Sequence, residues 1–380
     1  METQLIARIV HVTDLHVTDA QSPARFEFVN REWRDPRFRE LLPMYRPQEM
    51  LNTHAVAAMV RAINNVENVD IAAVTGDIVD NTQRNELNNA LALLNGGTVR
   101  PDSGAPGYDG VALPDWPDGM IEKALEPFES PGLRVPWLRC WGNHEQLCQG
   151  VGIVTIELAR AMAGSRKPVD LPPELDRDHA VEIFTQRPEF FMSGPAREVA
   201  ADPERRPISR RDLMPASYYL HDAPRLRCIV LDTVCDAGGA KGTIDATQLN
   251  WLEAKLAEAG DRYVVVMSHH GAESVANPEL LALLEHSPNV VLWLNGHTHI
   301  NRIARRQGFW EVTTGSIVDW PSQARIVEVY EKEIRCKMLD HGGGGLAGMH
   351  RDVAARSPIA SVTTGAASDR DAVLPLVVRP

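Results

Sequence analysis

The sequence predicts an α/β fold. Strand-length apolar runs alternate with helix-patterned segments, each run ends in the same restricted set of polar residues, and glycine or proline punctuates the joins. The first run, Ile6 to His16, reads IARIVHVTDLH, and a helical pattern follows over residues 52–66. The second run is VDIAAVTGD from Val69 to Asp77, and the third is VPWLRCWGNHE from Val135 to Glu145. LRCIVLDT, from Leu226 to Thr233, supplies a further strand that ends in Asp232 without a histidine. A helix is expected over Asp245 to Gly260, where the aspartate can cap the start and the glycine can end it. The last two runs, YVVVMSHH from Tyr263 to His270 and VVLWLNGHTH from Val290 to His299, both finish in histidines.

The domain reading places the core in residues 1–336, with Gly/Pro/Asp-rich insertions at about 95–119 and a polar, proline-bearing one at 150–215. Long segments of this kind usually serve as lids or surface elaborations. Residues 337–380 read as a glycine-rich joint and a C-terminal tail. The 380 residues are 44% hydrophobic and 24% charged, which suits a globular chain, and the net charge of −12 advertises no basic surface for nucleic acid. Five cysteines, Cys140, Cys148, Cys228, Cys235 and Cys336, form no CxxC pair and read as reduced thiols. With no basic n-region, no apolar leader and no membrane-length run, the expectation is a cytoplasmic protein with no membrane partner.

Chemistry concentrates at the strand ends. Asp14 and His16, Asp77, Asn143 and His144, His269, and His297 and His299 each stand where an apolar run gives way to a loop. In open α/β sheets ligands bind beyond the carboxyl ends of the strands. Carboxylate, amide oxygen and imidazole without thiolate suit Mn, Fe, Zn or Co, and even with His144 set aside seven donors exceed what one ion needs. Two divalent ions would polarise a phosphoryl group and lower the pKa of bound water until hydroxide forms near neutral pH. A lone histidine after a strand is more often structural, but five correlated strand ends favour a metal site.

Taken in order, Asp14-x-His16, Gly76-Asp77, Gly142-Asn143-His144-Glu145, His269-His270 and Gly296-His297-x-His299 resemble the calcineurin-like metallophosphoesterase superfamily. That resemblance implies a four-layer α/β/β/α sandwich with two mixed β-sheets. It also implies that Asp14, His16 and His299 hold a first metal, that Asp77 bridges, that Asn143, His269 and His297 hold a second, and that His144 is the catalytic acid. Gly242 to Leu256, together with Ser217-Tyr218-Tyr219, resembles the cyclic-nucleotide and glycerophosphodiester phosphodiesterase branch. SPARFEF (Ser22 to Phe28) and FWEVTTGSIVDWPSQAR (Phe309 to Arg325) resemble an actinobacterial-type subgroup of it. Protein serine/threonine phosphatases of this superfamily carry an arginine after the GDxVD segment, where this chain has Asn81, which argues against a phosphoprotein substrate.

The expected activity is therefore hydrolysis of a small phosphodiester, with a phosphomonoesterase, a nuclease or a non-catalytic metal-binding scaffold as alternatives. His270 is expected to support a ligand or touch substrate, since adjacent side chains on an extended segment face opposite ways. Asp80 and Asp232 are candidates to orient ligand imidazoles or to cap turns. Trp310 and Trp320 are weaker candidates to line the pocket, whereas His11, His54, His286, His341 and His350 keep structural readings.

Overall fold

A computed structural model of the chain describes residues 4–101, 117–214 and 216–376. Twelve strands build two large sheets: β1 (Leu5–Val12), β2 (Ile71–Val74), β3 (Trp137–Arg139), β4 (Tyr219–Asp222), β5 (Leu226–Val230), β6 (Tyr263–Met267), β7 (Val290–Asn295), β8 (Arg302–Arg305), β9 (Trp310–Thr313), β10 (Gln323–Tyr330), β11 (Glu333–Asp340) and β12 (Ala372–Pro375). The first sheet has the order β12-β11-β10-β1-β2-β3 and the second β8-β9-β7-β6-β5-β4. In the first, β1, β2 and β3 run parallel and β10 joins β1 antiparallel. In the second, β5, β6, β7 and β9 are parallel and the two edge strands antiparallel. Both sheets are mixed, as expected, and Asp14, Asp77, His269 and His297 follow the carboxyl ends of parallel strands.

Burial shows four layers. Alternation along the strands sends Ile9, Ile71 and Ala73 of the first sheet against Cys228, Val265, Met267 and Leu294 of the second. The opposite face of the first sheet, with Val10, Val12 and Val74, packs on α1 (Asn52–Asn64) and α2 (Arg84–Asn95) through Val56, Val60, Leu87 and Leu94. The outer face of the second meets α3 (Ala246–Ala257) and α4 (Pro278–Glu285) through Leu252, Leu256, Leu280 and Leu284. No helix among the described residues is long and apolar enough to cross a membrane.

Residues 150–214 fold into a cap of short helices and a two-stranded ribbon, Arg166–Pro168 with Ala196–Glu198. It has its own core, in which Phe184 meets Phe26 and Phe191 edge-on at ring-centroid distances of 5.4 and 5.1 Å. These aromatics fasten the segment around Ala24 to Phe28 to the cap. Phe184→Ala is expected to cost about 3–5 kcal/mol, read as a lower urea midpoint at an unchanged slope. Residues 102–116 of the other expected insertion lie outside the described residues.

The C-terminal segment differs from the expected joint and tail. β11 continues through position 337 to Asp340, helix α5 (Gly345–Ala354) packs on α1, and β12 adds an edge strand to β11. Leu374 and Leu376 reach the core between the sheets, and Ala347 and Val353 are buried. A four-residue strand beside glycine-rich turns leaves too short an alternation to read from sequence alone. Trp141 and Trp293 are fully buried, and Trp137 and Trp251 only partly so. Trp310 packs at the β12 edge, its Nε1 donating to the Pro375 carbonyl at 3.0 Å, and Trp320 lies under Arg351.

Candidate metal centre

The loops after β1, β2, β3, β6 and β7 bring Asp14, His16, Asp77, Asn143, His269, His297 and His299 into one cluster. Asp14, His16, Asp77, His297 and His299 all have positive φ, between 44° and 68°. Non-glycine residues adopt this conformation rarely, and its clustering at five such positions marks strain held by the surrounding structure for a site. Two glycines allow the close approach. A Cβ on Gly296 would lie 2.1 Å from Thr13 Oγ1 and 2.4 Å from Asp14 Oδ2, and one on Gly142 would lie 2.3 Å from the Asp77 nitrogen.

On one side, His16 Nδ1 lies 2.9 Å from Asp80 Oδ1 and His299 Nδ1 lies 2.6 Å from Asp319 Oδ2. Carboxylates only accept, so both Nδ1 atoms carry the proton and both Nε2 atoms turn lone pairs inward. Those Nε2 atoms stand 3.3 Å apart, and the His299 one is 3.3 Å from Asp14 Oδ1, a buried oxygen that accepts no hydrogen bond. On the other side, His269 Nδ1 donates to the Thr75 carbonyl at 2.8 Å. Its Nε2 faces Asn143 Oδ1 at 2.9 Å, Asp77 Oδ2 at 3.1 Å and His297 Nδ1 at 3.3 Å. Asn143 is oriented by its own amide, which donates from Nδ2 to the Gly150 carbonyl at 3.0 Å. Asp77 Oδ2 is also 3.8 Å from His16 Nε2, which sets this carboxylate between the two groups.

With the imidazoles neutral, lone pairs thus converge on two neighbouring points. Burial costs a carboxylate or a lone-pair cluster dearly unless positive charge is supplied. In the protein alone, protons supply it. Burial opposes charging His269, yet Asp77 and Asp14 raise its pKa to about 9, and Asp14 and Asp319 raise that of His299 to about 9 against the same burial. Burial and His144 hold His16 down to about 4, and burial and His269 hold His297 down to about 3. A donor set of this kind fits divalent cations.

His144 lies at the edge of the cluster, its ring 4.5 Å from that of His16 and one donor atom within 4.8 Å of donors on His16 and Asp80. Its backbone nitrogen donates to Asp77 Oδ1 at 2.9 Å, and its Nδ1 donates to the Asp80 carbonyl at 2.6 Å, which leaves Nε2 for the cavity. That cavity, of about 320 Å³, is lined by Asp77, Asn143, His144, His297, His299 and Arg46 among others. His270 stays at the cluster: its Nδ1 lies 2.9 Å from Thr233 Oγ1, its buried Nε2 lacks a hydrogen-bond partner, its ring is 4.4 Å from that of His297, and it offers a donor atom within 4.8 Å of donors on His269 and His297. Of the two carboxylate candidates, Asp80 does orient an imidazole, whereas Asp232 instead pairs with Arg210 and caps the Val234 nitrogen. His11 packs within the sheet between Thr75 and Thr314, and His350 is buried against Asn52.

Several supporting residues escaped the sequence reading. Asp319, which positions His299, is itself paired with Arg46 at 3.1 Å. Arg25 joins Asp80 to Glu49 in the interior. Glu145 reaches back to accept from the backbone nitrogens of Gly142, Asp77, Ile78 and Val79, and so clasps the Asp77 loop. Burial and Asp77 push its pKa up against those donors, to about 8. Arg25 and Asp319 lie in the two stretches that resemble the actinobacterial-type subgroup, which was the available signal. Asn81 points inward, donating to the Ala24 carbonyl and accepting from the Gln149 nitrogen, so it presents no group to a substrate.

The sequence pattern that defines the calcineurin-like phosphoesterase family matches residues 7–301, and the chain belongs to that family. It is 36% identical over 92 residues to the glycerophosphodiester phosphodiesterase GpdQ of Enterobacter lignolyticus (strain SCF1), a match covering 21% of this chain and 33% of that protein. The chain thus matches about a third of that relative's length. Among solved structures, a dimetal phosphatase from Danio rerio superposes with a TM-score of 0.51 at 12% identity, covering 98% of this chain and 100% of the other. This likeness bears on the fold, and it agrees with the two packed sheets.

Proposed function

We propose that the chain is a dinuclear-metal-dependent phosphodiesterase acting on a small-molecule phosphodiester. The observation that carries the reading is the convergence of unshared lone pairs from Asp14, His16 and His299, and from Asn143, His269 and His297, on either side of Asp77. Bound there, two divalent cations would polarise the phosphoryl oxygens and supply a nucleophile at neutral pH. The protein's own contribution is to hold those donors rigid through Asp80, Asp319, the Thr75 carbonyl and the Gly150 carbonyl. His144, held at Nδ1 by the Asp80 carbonyl, points Nε2 at the cavity, and as imidazolium it would donate that proton to the departing alkoxide oxygen. The GpdQ match supports a diester over a monoester, and the inward-turned Asn81 supports a small substrate over a phosphoprotein.

Because metal competes with protons on His269 and His299, uptake at pH 7 should release roughly two protons, falling towards none above a pH of about 9. Potentiometric titration with Mn²⁺ measures this directly. The sign for stability follows. Raised imidazole pKa values stabilise the metal-free fold below about pH 6.5, and that contribution is lost as pH rises through about 9. Metal-free protein should therefore melt progressively lower over this range, and metal-loaded protein should not. Asp319→Ala removes the acceptor that orients His299 and should weaken metal affinity by about 10–100-fold, read by competition with a chelating dye.

The reading is tested by hydrolysis of bis(p-nitrophenyl) phosphate and p-nitrophenyl phosphate by metal-stripped protein before and after Mn²⁺ is restored. Turnover that returns with metal and favours the diester supports it. Turnover indifferent to metal, or confined to the monoester, contradicts it.

A further inference from the structure

We propose that the groove beside the metal cavity receives a hydrocarbon chain, so that the substrate is an amphiphilic phosphodiester; this rests on the phosphodiesterase reading above. The groove has a volume of about 640 Å³, within the range of ligand sites. It lies between the segment 30–48 and the C-terminal helical stretch around residues 353–359. It shares Leu42, Pro43, Arg46, Asp319 and Ile359 with the metal-side cavity, so a ligand bound at the metals can extend into it without leaving the protein surface.

Three features choose the occupant. Among the described residues the large apolar side chains left exposed include Trp33 at 67%, Ile359 at 40% and Val362 at 56%, and all three stand on the rim of these joined cavities. Clustered apolar exposure beside a cavity marks a surface that meets an apolar partner. Leu42, Pro43 and Pro358 give the wall aliphatic contact area for a hydrocarbon chain, beside polar lining residues that include Arg39, Gln48 and Arg356. The groove's indole, Trp33, already carries the Arg34 guanidinium 4.6 Å from its ring, so stacking of a nucleobase would have to compete with that cation. At the junction Arg46 pairs with Asp319 and Glu49, which sets a guanidinium where the phosphate and the chain would meet.

The test is a series of p-nitrophenyl alkyl phosphodiesters with methyl, butyl, octyl and dodecyl chains, assayed with Mn²⁺-loaded full-length protein. kcat/KM should rise about two- to fourfold per methylene until the groove is filled. Ile359→Asp should reduce the octyl-to-methyl ratio by on the order of tenfold or more, as expected for loss of several buried methylenes. A flat series, or a preference for a nucleoside p-nitrophenyl phosphodiester over the octyl one, overturns the groove assignment while the phosphodiesterase reading stands. Binding of monomeric dodecylphosphocholine, followed by calorimetry, is independent of turnover. Binding that is lost in Ile359→Asp supports the groove even if no ester is hydrolysed, and no binding by the unaltered protein overturns it.

Discussion

Asp77→Asn should remove hydrolysis of bis(p-nitrophenyl) phosphate, with kcat lower by on the order of 10³-fold, and should cut bound metal below two ions per chain. The substitution keeps the shape of the side chain, and an amide oxygen can still accept the His144 backbone nitrogen now held at 2.9 Å. What it removes is the one carboxylate that stands between the two groups of lone pairs, 3.1 Å from His269 Nε2 and 3.8 Å from His16 Nε2. Its negative charge is held in the interior by its imidazole neighbours, and burial alone would oppose it. The folded state should survive, because Glu145 binds the backbone of this loop and not its carboxylate. Unchanged metal content and activity in a folded variant would remove Asp77 from the centre.

His144→Ala should behave differently. Loss of a general acid lowers kcat by about 10²–10⁴-fold, and metal content should remain that of the unaltered protein. The two roles can be told apart because His144 spends Nδ1 on the Asp80 carbonyl, which leaves Nε2 for the cavity that it lines. Substrates with a better leaving group need less protonation, so the deficit should shrink for p-nitrophenyl esters and grow for alkyl ones. Equal loss of metal and activity would instead make His144 part of the metal shell.

Much of this site was legible because strand periodicity and strand-end chemistry coincide. β1, β2, β3, β6 and β7 are short apolar runs, and the residue that follows each must leave the sheet at the same rim. The local pattern could not show what supports the ligands. Asp80 lies three residues from Asp77 and could be suspected, but Asp319 reaches His299 from a segment twenty residues away, and Arg25 reaches Asp80 across fifty-five. Glu145 accepts locally from the Gly142 nitrogen and also binds a loop sixty-eight residues distant. Such partners depend on how loops fold over the rim, which has no periodicity to read. The same holds for the C-terminal segment, whose short strand becomes visible only when β11 is present to pair with it.

The central claim is that one chain holds two cations around Asp77. Metal content after stripping, saturation with Mn²⁺ and removal of free ion, measured by mass spectrometry of the metal alongside protein concentration, tests it most directly. About two Mn²⁺ per chain are expected in the unaltered protein and fewer in Asp77→Asn. A folded protein that retains one ion or none, and turns over the diester all the same, would contradict it.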